Sequence, residues 1–222
     1  MIHIFDVDHT VVRKTSTEYF LQMAMKEKLI RFSQVKRLPL DWIKYKLAFP
    51  DVDFIENTVK SLSGINKYDL DRISEACFKE RIKPNIYTGA EALIKEALER
   101  GEKVIFATSS FDFIISPLER YFGIDESLAC RMEYEDGMTT GNLVGYSFFG
   151  PKKKTAACGW MERNNIKKED TCFYSDSYTD LPLLEYCGRP VAVNPDRILA
   201  KHARKNDWRI IRFKEVLGKT TS

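Results

Sequence analysis

The sequence predicts an α/β fold, a Rossmann-like parallel sheet with flanking helices and a helical cap inserted after the first strand. Three observations carry this prediction. Short apolar runs that end in polar clusters recur along the chain, amphipathic stretches fill the gaps between them, and residues 14–78 show helical pattern alone.

Residues 2–5, 104–107, 172–174 and 191–193 are the expected strands. Each is short, rich in β-branched or aromatic residues, and bounded by turn or helix-start signals, as strands covered on both faces are. Between them, residues 90–100 (AEALIKEALER) have helical periodicity and stop at Gly101, a residue suited to a C-cap. Residues 154–165 and 195–206 read the same way, and residues 137–149 (GMTTGNLVGYSFF) read as a β-hairpin with glycine turns. Between the first and second strands the helical pattern is interrupted at Pro39, Pro50 and Gly64. The expected organisation is therefore an α/β core of residues 1–13 and 79–222, with residues 14–78 as the cap.

A hydrophobic fraction of 44% with 12% aromatics supplies a packed core and excludes a disordered chain. The net charge is only +3, too balanced for a nucleic-acid footprint, although local lysine clusters favour small anions such as phosphates. Five cysteines, an odd number with no CxxC pair, argue against a disulfide framework or a zinc site and fit a reducing compartment. The start MIHIFDVD lacks the basic and apolar regions of a signal peptide, and no apolar run approaches the ~18 residues of a membrane span. The expectation is a soluble, cytoplasmic protein. No sequence feature specifies an oligomeric state.

In open parallel sheets ligands bind beyond the carboxyl ends of the strands, so the polar clusters there are the candidates for chemistry. The first is Asp6-Val7-Asp8-His9-Thr10. Two carboxylates leaving a strand together repel, and a hard cation such as Mg²⁺ with oxygen ligands relieves that repulsion. An ionised Asp can attack phosphorus, and the second can protonate the leaving alcohol and then activate water. The plain alternative is a turn or helix cap. Thr108-Ser109-Ser110, after the second strand, offers hydroxyls and N–H groups for a phosphate, or an ordinary N-cap. Gly150-Pro151-Lys152-Lys153-Lys154 offers an ammonium for phosphate oxygens, or a solvated basic run. Ser175-Asp176-Ser177-Tyr178-Thr179-Asp180 brings two more carboxylates that can complete a magnesium site, or a capping box. Each cluster alone is ambiguous; all four in order, each after a predicted strand, are not.

FDVDHT resembles the DxDxT motif of the haloacid dehalogenase-like hydrolases, ATSS their strand-then-Thr/Ser motif, and SDSYTDLPLL the GDSxxDxxLL form of their last motif, with Ser175 in place of Gly. The insertion, together with FFGPKKKTAACGW and VAVNPD, is similar to the phosphoserine-phosphatase-like branch, subfamily IB, and the likeness spans residues 1–213. The resemblance implies a Mg²⁺-dependent phosphatase that hydrolyses a small phosphomonoester through an aspartyl-phosphate. It makes Asp6 the nucleophile and a metal ligand, and Asp8 the general acid/base, ligating the metal through its carbonyl. Thr108, Ser109 and Lys153 would bind the phosphoryl group, Asp176 would complete the metal ligands, and Asp180 and Thr10 would support the site. The branch's G-x-x-K pattern with a tryptophan seven residues beyond selects Lys153, between Gly150 and Trp160, and leaves Lys152 and Lys154 at the surface.

The branch also bounds the substrate. Phosphoserine phosphatases carry a glutamate nine residues after the nucleophile, where this chain has Thr15, and a cap arginine where FIENTVKSL has only Lys60. TSSF and SYTD replace their glycine pairs and Asn-Asp. These departures disfavour phosphoserine; histidinol phosphate and a lysophospholipid phosphate stand beside it as alternatives. Residues 26–49 interleave basic and apolar side chains, a pattern that suits an anionic membrane surface but more commonly a solvated helix face. His9 reads as a residue supporting the site from behind or as a variable position, and His3 and His202 as structural. Phe111, Phe113 and Phe149 suit either the pocket wall or the core. Two rivals share the motifs: a phosphotransferase using the same intermediate, and a non-catalytic phosphate-binding protein. Retention of Asp6, Asp8, Asp176 and Asp180 argues against the second.

Overall fold

A computed structural model of the chain describes residues 1–30, 54–145 and 148–218. Seven strands form one sheet, in which β1 (Ile2–Phe5) lies between β2 (Lys103–Phe111) and β5 (Thr171–Ser175). Beyond β2 come β3 (Ser127–Glu135) and β4 (Met138–Val144); beyond β5 come β6 (Arg189–Val193) and β7 (Arg209–Ile211). All neighbours are parallel except β3 and β4. Ile2 stands opposite both Lys103 and Thr171, and Phe5 opposite Phe106 and Tyr174. The chain runs from β1 outward to β2 and β3, then returns across β1 to β5 and onward to β6. The carboxyl ends of β1 and β5 therefore flank a topological switch point.

Helices cover both faces, so the central strands are apolar on both sides. Phe5, Val104 and Phe106 enter one buried cluster, Ile4, Ile105 and Phe173 the other. Helices α4 (Thr88–Glu99), α5 (Asp112–Phe122), α6 (Pro151–Arg163), α7 (Leu181–Leu184) and α8 (Arg197–Lys205) follow in chain order after the insertion's α1 (Ser16–Lys26), α2 (Phe54–Ser61) and α3 (Lys67–Cys77). The α/β expectation holds.

The insertion leaves and rejoins the core at one place. Val12 bridges Ile86 in antiparallel fashion, Arg13 N–H donates to the Asn85 carbonyl at 2.9 Å, and Tyr87 N–H donates to Val11 at 2.9 Å. Its apolar side chains, Phe20, Ile55, Leu62 and Leu70 among them, join the same buried cluster as Phe106, Phe113 and Ile114. The loop before α3 also pairs with the β3–β4 ribbon, through Gly64 N–H to the Thr139 carbonyl at 2.8 Å and Thr139 N–H to the Ile65 carbonyl at 2.9 Å. Apart from residues 26–30, the basic segment 26–49 lies outside the described residues.

Three elements differ from the sequence expectation. The hairpin is not contained in residues 137–149: its turn is Asp136-Gly137, with φ of 50° and 77°, and its first strand is β3. Two consecutive positive φ values make the primed turn that matches strand twist, so Asp-Gly rather than Gly141 or Gly145 reverses the chain. β2 continues four residues past Ala107, with a break in its register against β3 between Ala107 and Phe111. Thr108, Ser109 and Ser110 thus lie in an irregular strand end, and α5 begins without a side-chain cap. β7 was not expected, because three residues of an edge strand carry no readable period.

Candidate active site

The site is built on the carboxyl ends of β1 and β5. Asp6 N–H donates to the Tyr174 carbonyl at 2.9 Å, which extends the parallel ladder by one residue before the chain turns away. The Asp6 carboxylate is buried, and Lys153 Nζ donates to its Oδ1 at 2.9 Å. The same ammonium donates to Asp180 Oδ2 at 2.7 Å, and Ser175 Oγ donates to that oxygen at 2.8 Å. Asp6, Lys153 and Asp180 are all at most 6% exposed, so two carboxylates share one cation out of water. Burial pushes the Asp6 carboxyl up to about 7, against the pull of Lys153 and aided by the charges of Asp180 and Asp8. Burial works against the Lys153 charge too, but the two carboxylates outweigh it and hold the ammonium above its ordinary range. Asp180 Oδ1, equally buried, has no hydrogen-bond partner among the described residues.

Asp8 sits one turn outward. Its Oδ1 accepts the Ser16 N–H at 2.8 Å, so the first residue of α1 aims a backbone donor and the positive end of the helix at this carboxylate. Between the two aspartates and the helix the chain folds tightly, with Val11 and Val12 N–H both donating to the Val7 carbonyl at 2.9 Å. That turn puts His9 at φ 62°, a left-handed conformation that costs a side chain of this size about 1 kcal/mol or more. The ring lies between the Arg13 carbonyl, 3.1 Å from Nδ1, and Thr15 Oγ1, 3.3 Å from Nε2. Thr10 is fully buried in the turn, and its hydroxyl has no hydrogen-bond partner among the described residues.

On the opposite side, Gly150 at φ 54° and Pro151 at the first position start α6 and carry Lys153 inward. Lys152 is exposed, and the Lys154 ammonium lies 5.4 Å from the centre of the Tyr186 ring. Of the three lysines, Lys153 is the one whose ammonium meets Asp6. In the strand end of β2, Ser110 N–H donates to Thr108 Oγ1 at 3.1 Å, and Thr108 is buried while Ser109 lines the cleft. Ser110 Oγ is joined to Ser16 Oγ at 2.9 Å and to Thr17 Oγ1 at 3.2 Å, tying the start of α1 to β2.

Asp176 follows β5 as Asp6 follows β1. Its loop is clamped by Asp196, whose N–H donates to the Asp176 carbonyl at 2.8 Å and whose Oδ2 accepts the Tyr178 N–H at 2.7 Å. Asp196 Oδ1 meanwhile caps α8 by accepting Ile198 and Leu199 N–H, both at 2.8 Å. Sequence reading took VAVNPD as part of the family resemblance and as a helix start, without a role for Asp196; an Asp that caps one helix and holds a loop far away in sequence has no local signature. Among the described residues no three His, Cys, Asp or Glu side chains cluster at metal-ligand spacing. The expected magnesium set needs only two carboxylates, Asp6 and Asp176, with the Asp8 carbonyl. These all-oxygen donors, the raised Asp6 carboxyl and the orphaned Asp180 oxygen describe a pocket with surplus buried negative charge, which a hard divalent cation fits.

Asp6, Asp8, Ser109, Lys153, Asp176 and Asp180 all line one cleft of about 360 Å³. Thr10 and Thr108 lie behind its wall. The insertion closes one side with Thr15, Thr17, Ile55 and Thr58, and α8 contributes Arg197 and Ile198 at the other. Phe111 and Phe149 line it as well, whereas Phe113 belongs to the core.

The sequence profile of the haloacid dehalogenase-like hydrolase family matches residues 4–185. The chain is 30% identical over 217 residues to the histidinol-phosphatase of Neisseria meningitidis serogroup C, covering 95% of this chain and 98% of that one. It is 28% identical to the phosphoserine phosphatase SerB1 of Mycobacterium tuberculosis, over 95% of this chain and 70% of that one. A Bordetella pertussis Tohama I crystal structure of unknown function superimposes with a TM-score of 0.84 at 26% identity, covering 95% of this chain and 97% of that one. A substrate-bound phosphoserine phosphatase shares the fold, with a TM-score of 0.66 at 23% identity over 95% and 91% of the two chains. No helix among the described residues is long and apolar enough to cross a membrane.

Proposed function

The chain belongs to the haloacid dehalogenase-like hydrolase family and is a phosphoric monoester hydrolase, and we propose that it works through an aspartyl-phosphate on Asp6. Asp6 attacks phosphorus in line with the ester oxygen. As the P–O ester bond breaks, Asp8 gives its proton to the leaving alcohol. Asp8 then takes a proton from water, which attacks the aspartyl-phosphate and releases inorganic phosphate and free Asp6. Ser16 N–H holds Asp8 at the point where the alcohol departs.

Phosphoryl transfer spreads charge over the equatorial oxygens, so the protein's task is positioning and neutralisation. Lys153 supplies a fixed cation beside Asp6, and Asp180 with Ser175 keeps it there. Ser109 holds the phosphoryl group from the cleft wall, with Thr108 shaping the strand end beneath it and Thr10 the turn below Asp8. The residues that would hold Mg²⁺ are Asp6, Asp176 and the Asp8 carbonyl; when bound, the ion supplies positive charge to the phosphoryl oxygens.

Residues 14–78 act as a cap over the core of residues 1–13 and 79–222, closing the cleft with Thr15, Thr17, Ile55 and Thr58. The relatives named for histidinol phosphate and phosphoserine support a small phosphomonoester as substrate.

The observation that carries this reading is the buried Lys153 bridging Asp6 and Asp180 in a cleft also lined by Asp8 and Asp176. Asp6→Asn is expected to abolish Mg²⁺-dependent phosphate release from p-nitrophenyl phosphate while circular dichroism shows an intact fold. Undiminished turnover in that variant would sink the mechanism.

A further inference from the structure

Three buried hydroxyls meet where the insertion's first helix touches the core. Ser16 Oγ donates to Ser110 Oγ at 2.9 Å, which leaves the Ser110 hydrogen for Thr17 Oγ1 at 3.2 Å. Ser110 is 94 and 93 residues away in the chain from these partners. A buried hydroxyl is costly unless it is hydrogen-bonded, so the three satisfy one another in one register of α1 against β2 only. Both ends of this chain of bonds lead into the site. Ser110 N–H donates to Thr108 Oγ1 at 3.1 Å, which anchors Ser110 in the strand end that carries Ser109. Ser16 N–H donates to Asp8 Oδ1 at 2.8 Å. The residue before α1, Thr15, makes no side-chain capping bond, because its hydroxyl faces the His9 ring. The place where α1 begins, and with it the direction of the Asp8 carboxylate, therefore follows from Ser110.

We propose that Ser110 is a positioning residue: through Ser16 it sets the start of α1 so that the Ser16 N–H aims Asp8 at the leaving alcohol. This rests on the phosphatase reading above. When the ester P–O bond breaks, its electron pair goes to the ester oxygen, which takes the Asp8 proton. A poor leaving group depends on that proton, whereas p-nitrophenolate is stable enough to depart without it. A misaimed Asp8 therefore penalises an ester in proportion to the basicity of its alcohol. A hydroxyl cluster that merely glued the insertion to the core would penalise all esters alike.

The test compares kcat/KM for phenyl phosphate and p-nitrophenyl phosphate, two esters of similar shape whose alcohols differ in basicity. It uses wild type, Ser110→Ala, Ser16→Ala and the double variant, the Ser16 backbone N–H being kept in all of them. In each single variant the ratio of phenyl to p-nitrophenyl phosphate should fall about fivefold, the worth of one hydrogen bond. The double variant should be no worse than either single one, because both substitutions remove the same bond. Equal losses on the two esters, or no loss on either, would overturn the inference whatever happens to the melting temperature. So would additive losses in the double variant, which would mean that the two hydroxyls act separately. A wild type that turns over neither ester would instead overturn the phosphatase reading on which the inference rests.

Discussion

Strands β1 and β5 carry a buried polar network at each end, and the two are built on opposite terms. At the amino end, His3 Nδ1 lies 3.0 Å from Tyr174 Oη and Nε2 3.1 Å from Glu102 Oε2, while Arg100 neutralises Glu102 from outside. Every group there has a partner. At the carboxyl end, Lys153 serves two carboxylates, a third and fourth stand close by, and one oxygen of Asp180 is orphaned. A satisfied network rigidifies a core; one with surplus charge is costly and persists where chemistry requires it. The contrast between the two ends marks the site without reference to any motif.

The largest expected effect comes from removing the shared cation. Lys153→Met leaves Asp6 and Asp180 facing each other out of water. Turnover of p-nitrophenyl phosphate should fall at least ~100-fold, the scale of losing one fixed charge-stabilising group. Unfolding stability should fall by about 3 kcal/mol, measured by urea titration. Wild-type activity in this variant would mean that the carboxyl-end network is structural like its counterpart. Next in size is the ion itself. Mg²⁺ at ~100 times its dissociation constant should stabilise the protein by about 2.7 kcal/mol, read as a rise in melting temperature that EDTA reverses. The Asp176→Asn variant should lose most of that rise, since it removes one of two expected side-chain ligands.

How much of this was legible in sequence follows from the same contrast. Asp6, Asp8 and Asp176 could be found because a parallel strand is a short apolar run and its end is marked by the first polar residue. Lys153 could not be told from Lys152 and Lys154 by charge alone; only its spacing from Gly150 and Trp160 distinguished it, and the helix start at Pro151 is what turns it inward. The loop clamp of Asp196, the backbone angle of His9 and the Ser16–Ser110–Thr17 hydroxyl cluster went unread because their partners lie far off in the chain or depend on a backbone angle. β3 was missed as a strand because its run SLACRMEYE mixes small, charged and flexible residues, and pairing with β2 and β4 rather than β propensity makes it extend.

The amino-end network supplies the smaller predictions. His3→Ala removes a ring that both Tyr174 and Glu102 use, so stability should fall by about 1–3 kcal/mol while kcat with p-nitrophenyl phosphate stays unchanged. A parallel loss of kcat would show that the two ends are coupled through β1 and would break the comparison.

The smallest effect is one of pH. Burial lowers the pKa of His3, only partly offset by Glu102, so the folded protein takes up this proton less readily than the unfolded chain. Above the ordinary histidine value of about 6.5 both states are neutral here and His3 contributes no pH dependence. As pH falls below that value the unfolded chain binds the proton first, and stability drops until the folded pKa is reached, where the slope ends. Urea midpoints measured from pH 7 to pH 5 should therefore decline more steeply in wild type than in His3→Ala, which has no such proton to bind. Equal slopes would mean that Glu102 offsets the burial in full, so that the folded protein takes up this proton as readily as the unfolded chain. The amino-end network would then be an ion pair at acid pH rather than the neutral counterpart of the Asp6 cluster.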